Sequence, residues 1–81
     1  MTGPQTTRRE LGARIRAWRQ RRHLSQVALA DLAGITQSTL SNYENGKREP
    51  AVSTLIRIAE ELDVSLDELA GHTAGQNTRT S

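Results

Sequence analysis

Short apolar stripes at helical spacing, each interrupted by a capping residue or breaker within a few turns, are what most constrain the fold of this chain. Leu11, Ile15 and Trp18 recur at i, i+4 and i+7, one face of an amphipathic helix that the pattern predicts over 7–22. Ser25, a strong N-cap, precedes Val27, Leu29, Ala30 and Leu32, which mark a short second helix stopping before Gly34. Thr36 caps a third, which carries Leu40 and Tyr43 through Glu44 to the turn at Asn45 and Gly46. "KREP" is a loop, with Pro50 near the next helix start. Val52, Leu55, Ile58, Ala59 and Leu62 form a fourth stripe, although Ala51 is a poor residue for its cap. "SLDE" at 65–68 has capping-box spacing and opens a last short helix through Leu69. No segment alternates with the period of a strand. The expected architecture is all-α: a compact five-helix bundle over 7–70, with a flexible arm over 1–6 and a disordered tail over 71–81.

Composition narrows the choice of function. Eighty-one residues make one small domain, and the chain has no cysteine for disulfides or thiolate metal sites. That usage suits a reducing cytoplasm. The apolar runs span only a few residues, too short for a membrane span or signal peptide. With Trp18 and Tyr43 as its aromatics, the core is expected to be aliphatic and helical. Two histidines and scattered acids provide neither a nucleophile–base pair nor a metal cage, so no enzyme activity, metal or cofactor is expected.

Charge is divided unevenly along the chain. Residues 1–48 hold nine Lys/Arg against Glu10, Asp31 and Glu44, a net +6, whereas residues 49–81 hold two arginines against six acids, a net −4. One end of the molecule attracts polyanions and the other repels them. The third predicted helix carries a different signal. Between its buried positions lie Thr36, Gln37, Ser38, Thr39, Ser41 and Asn42, amides and hydroxyls that are poor helix formers. Solvated helix faces ordinarily carry Glu and Lys. Amides and hydroxyls donate and accept at base edges, and Gln or Asn pairs bidentately with adenine.

The junction between the second and third helices completes the pattern. Gly34 can take a left-handed conformation without a Cβ penalty, and Ala30, four residues before it, allows the helices to cross closely. Ala-x-x-x-Gly-Ile followed by inward Leu40 and Tyr43 is a helix-turn-helix arrangement. "LSQVALADLAGITQSTLSNYENGKREPAVSTLIRIAEELDVSLDEL", residues 24–69, resembles the lambda-repressor-like or Xre family of helix-turn-helix domains. With "LGARIRAWRQRR" included, the resemblance extends over residues 8–70.

The resemblance implies a sequence-specific double-stranded DNA-binding transcriptional regulator of the repressor type, with the helix over 37–44 in the major groove. Gln37, Ser38, Ser41 and Asn42 are then the base-contacting residues, since the outward positions of a groove-bound helix lie nearest the bases. Ser25 and Gln26, at the amino end of the second helix, are expected on the phosphate backbone, as are Thr36, Asn45, Lys47 and Arg48. In the family, the glutamine matching Gln26 braces the residue matching Gln37. The resemblance also matches Arg19 and Glu44 to a structural ion pair, which removes Arg19 from the DNA contacts. Ala28 departs from the family, which often has Glu there, and Trp18 is bulkier than the usual residue.

One reading helix makes few base contacts, so a weak homodimer on a palindromic operator is expected, with half-sites ~34 Å apart and Leu66 and Leu69 in its interface. The expected location is the cytoplasm, on the nucleoid. The competing expectation for this fold is an antitoxin or bridging module whose main target is another protein.

Overall fold

The computed structural model describes residues 7–71, where five helices follow in order: α1 (Arg8–Arg21), α2 (Gln26–Ala33), α3 (Gln37–Glu44), α4 (Val52–Leu62) and α5 (Leu66–Ala70). The arm expected over 1–6 lies outside the described residues, as does the tail expected over 71–81 except for Gly71, which caps α5. Local chemistry explains most helix boundaries. Ser25, Thr36 and Ser65 each turn a hydroxyl oxygen onto an amide of the first turn, as their positions in the sequence suggest. Thr7 does the same for α1, and Glu10 reaches back to the Thr7 amide at 3.0 Å, a capping box that Thr-x-x-Glu spacing signals and the sequence reading missed. Ala51 starts α4 without a side-chain cap.

Arginines finish two helices from a distance. Arg22 Nε donates to the Leu62 carbonyl at the end of α4 at 2.7 Å, and Arg57 Nη2 donates to the Leu32 carbonyl near the end of α2 at 3.3 Å. Both place positive charge where helix carbonyls lack partners.

Each helix contributes to a single core. Ile15, Leu29, Leu40, Ile58, Leu62 and Leu69 are fully buried, and Trp18, Leu24, Ile35, Leu55 and Val64 pack around them. Three residues of the expected stripes face out instead: Val27, Leu32 and Val52. In α2 the inward positions are Leu29, Ala30 and Ala33, so apolar residues lie on both sides of a helix too short to turn them all inward. Val52, in the first turn of α4, lies beyond the edge of the core. Leu69 corrects the expected dimer interface. It is 0% exposed, because α5 packs on α1 and α4 and closes the bundle's own core, whereas Leu66 is 36% exposed.

Two glycines place α3. Gly34 ends α2 at φ 75°, and the Ile35 amide returns to the Ala30 carbonyl at 2.9 Å, so the chain turns sharply where the nearly inaccessible Ala30 admits the next helix. Gly12, buried within α1, lies against the last turn of α3. A Cβ there would meet the Tyr43 carbonyl oxygen and lie 2.7 Å from the Glu44 carbonyl oxygen. On a solvated helix, Gly→Ala gains about 1 kcal/mol. Gly12→Ala is expected to reverse that sign and destabilise the domain by about 1–3 kcal/mol, as overpacking does, in urea or thermal unfolding.

Candidate nucleic-acid interface

The polar face of α3 is held by a chain of side chains that begins in the interior. Glu44, at the end of α3, has its carboxylate fully removed from solvent. Arg19 of α1 meets it as a two-pronged fork, Nε to Oε2 at 2.7 Å and Nη2 to Oε1 at 3.0 Å. The remaining Arg19 nitrogen donates to the Leu24 carbonyl at 2.8 Å, which ties in the turn before α2. Planar, bidentate geometry of this kind fixes orientation as well as distance.

Glu44 also accepts from Gln26 of α2, Nε2 to Oε1 at 3.0 Å, and Gln26 Oε1 accepts from Gln37 Nε2 at 3.3 Å. Chemistry settles both amides. An ionised carboxylate only accepts, so Gln26 must present its NH2 group to Glu44 and its oxygen to Gln37. Gln37 therefore points its own NH2 inward, leaving its oxygen and one N–H for whatever lies outside. Three helices thus converge on the first residue of α3.

The other expected contacts are arranged around this chain. Gln37 and Ser38 are exposed, and Ser41 and Asn42 are half-buried toward the far end of the same helix. Ser41 Oγ lies 3.4 Å from Asn45 Nδ2, so Asn45 turns back over the helix. The exposed Thr36 is engaged in capping, since its hydroxyl donates to Thr39 Oγ1 at 2.9 Å and accepts from the Thr39 amide. Ser25 is likewise exposed and caps α2. The Asn42 carbonyl accepts from the Lys47 amide at 2.9 Å and from the Arg48 amide at 3.3 Å, folding the loop against the end of α3. The Lys47 and Arg48 side chains are exposed, and neither joins an ion pair among the described residues.

Sequence reasoning missed Arg16. Its Nε lies 3.7 Å from Glu44 Oε1, while its side chain is 52% exposed. A basic residue on a basic helix gives no sequence signal that separates it from its neighbours.

Among the described residues, no group of His, Asp and Glu could hold a metal ion, and no helix is long and apolar enough to cross a membrane. A bundle of this topology, with a short polar helix braced from behind and a basic loop beside it, defines a helix-turn-helix domain. Residues 15–69 match the helix-turn-helix family, and the chain belongs to it, in its lambda-repressor-like branch. YqaE of Bacillus subtilis, described as an uncharacterized helix-turn-helix-type transcriptional regulator, is 49% identical over 51 residues, 63% of this chain and 44% of YqaE. The restriction-modification controller protein C.AhdI from Aeromonas hydrophila superposes with a TM-score of 0.74 at 32% identity, covering 76% of this chain and 94% of that one. The P22 c2 repressor, in a complex with a synthetic operator, gives a TM-score of 0.70 at 32% identity, covering 73% and 89%. The chain spans about half the length of the first curated relatives it matches.

Removing the carboxylate strands the guanidinium of Arg19, whose side chain is only 11% exposed. Glu44→Ala is expected to lower stability by about 3–5 kcal/mol, far beyond the ~0.5 kcal/mol typical of a surface change, in thermal or urea unfolding.

Proposed function

We propose that this protein is a sequence-specific double-stranded DNA-binding transcriptional regulator, acting as a repressor, that reads the major groove with α3. The observation that carries the reading is the braced Gln37. Its amide is exposed and uncharged, and it is oriented by a hydrogen-bond chain running back to a buried carboxylate. A side chain serving only solubility has no use for such bracing. The free oxygen and N–H of Gln37 match the N6–H donor and N7 acceptor of adenine. Ser38, Ser41 and Asn42 follow along the helix, and Ser25, Gln26, Thr36, Asn45, Lys47 and Arg48 flank it as backbone contacts. The operator-bound P22 c2 repressor supports the same reading. The protein acts in the cytoplasm, on the nucleoid, as a binding module without enzymatic activity.

Binding-site selection from random duplex DNA tests this reading. A recovered consensus is expected, whereas its absence would favour a role directed at a partner protein. On the selected site, Gln37→Ala is expected to lose about 1–3 kcal/mol of affinity while binding to unrelated DNA stays nearly unchanged. Equal loss on both would show that Gln37 does not read bases.

The protein reads its operator as a symmetric dimer. A single α3 makes too few base contacts to select one site in a genome. Leu66, at 36% exposure, and Val52 and Ile56, which share an edge of α4 at 70% and 40%, are the apolar groups left open on the last two helices. An interface of that size is weak in solution and is completed on DNA. Sedimentation is expected to find monomers in the free protein and two chains per selected duplex. A stable one-chain complex on a non-palindromic site would exclude the dimer.

A further inference from the structure

Beyond Arg8 and Arg9 in its first turn, the arginines of α1 and Arg22 at its cap have separate uses, and one of them is unaccounted for. Arg19 is bound to Glu44, and Arg22 is bound to the Leu62 and Asp63 carbonyls at 2.7 and 3.3 Å. Arg21 lies over the Trp18 ring, 4.8 Å from its centre, and Arg14 lines a cleft with Trp18 and Gly71 on the α5 side. Arg16 lies elsewhere. Two residues from Arg14, it projects from the opposite side of α1, toward α2 and α3.

Its immediate partner cannot satisfy it. Glu44 Oε1 already accepts from Arg19 at 3.0 Å and from Gln26 at 3.0 Å, and Arg16 stops at 3.7 Å, beyond hydrogen-bond length. One carboxylate faces two guanidiniums, so a positive charge is left over at this edge. The excess charge sits on the half-exposed side chain, beside the same Gln26 amide that braces Gln37. Glu44 steers the Arg16 guanidinium toward the amino end of α2 without neutralising it.

We infer that Arg16 is a DNA-backbone contact made from the first helix, its guanidinium taking a phosphate beside the amino end of α2. The inference rests on the DNA-binding reading above and adds α1 to the elements that grip the strand. The contact is sequence-blind, because a guanidinium on a phosphate sets register without reading a base. It lies beside Gln26, whereas Lys47 and Arg48 lie in the loop after α3, so the reading helix is flanked by positive charge from two separate elements.

The test compares wild type with Arg16→Gln, Arg16→Lys and Arg14→Gln on the selected duplex and on random DNA across salt. Arg16→Gln is expected to flatten the slope of log K against log salt by about 0.9, so that a fourfold rise in salt lowers wild-type affinity about threefold more than that of the variant. The loss is expected to be equal on both DNAs, with the melting temperature unchanged. Arg16→Lys is expected to retain the slope, as is Arg14→Gln. An unchanged slope for Arg16→Gln would overturn the inference while leaving the DNA-binding reading intact. So would a loss confined to the selected site or accompanied by a lower melting temperature, which would make Arg16 a support for Glu44. A wild type that binds no duplex would overturn both.

Discussion

The buried carboxylate of Glu44 is the point on which α1, α2 and α3 agree. Taking a carboxylate and a guanidinium out of water costs several kcal/mol per ion, and their attraction repays this only when the geometry is good and the remaining hydrogen-bonding positions are filled. Here they are filled: Arg19 takes both oxygens, Gln26 shares one of them, and the third Arg19 nitrogen goes to the Leu24 carbonyl. An apolar pair could supply comparable stability. It could not set the direction of a neighbouring amide. The ion pair acts as an orienting device, because the carboxylate fixes Gln26, and Gln26 fixes Gln37.

That device requires a close approach, and Gly12 permits it. α1 lies so near the last turn of α3 that a methyl group at residue 12 would collide with its carbonyls. Two turns further along α1, Arg19 reaches Glu44 at 2.7 Å. Backbone proximity and ion-pair geometry are therefore one arrangement seen at two residues, and together they set the pitch at which α3 leaves the bundle.

α3 has little stability of its own. It spans eight residues, with Ser, Thr and Asn prominent on its outer face, too short and too poor in helix formers to persist alone. Thr36 holds its start, Leu40 and Tyr43 anchor its inner side, and Glu44 clamps its end. The polar surface that weakens the helix is the surface proposed to meet bases, and the rest of the bundle compensates for it. A similar economy governs the basic residues. Arg19 and Arg22 serve the fold, which is why a net charge of +6 over residues 1–48 does not count DNA contacts.

The sequence by itself determined the five helices, the caps at Ser25, Thr36 and Ser65, the turn at Gly34 and the polar face of α3, because each of these signals is complete within a few neighbouring residues. Even the missed Thr7–Glu10 box was legible on those terms. Arg19 and Glu44 were paired through family resemblance alone, since no local pattern links positions 25 residues apart. Only the tertiary structure decided that Val27, Leu32 and Val52 face out while Leu69 turns in, and that Arg16 stands beside Gln26 while Arg14 faces α5. Helical periodicity says which side chains share a face. Which face is buried, and which charge meets which partner, depends on where the other helices pass.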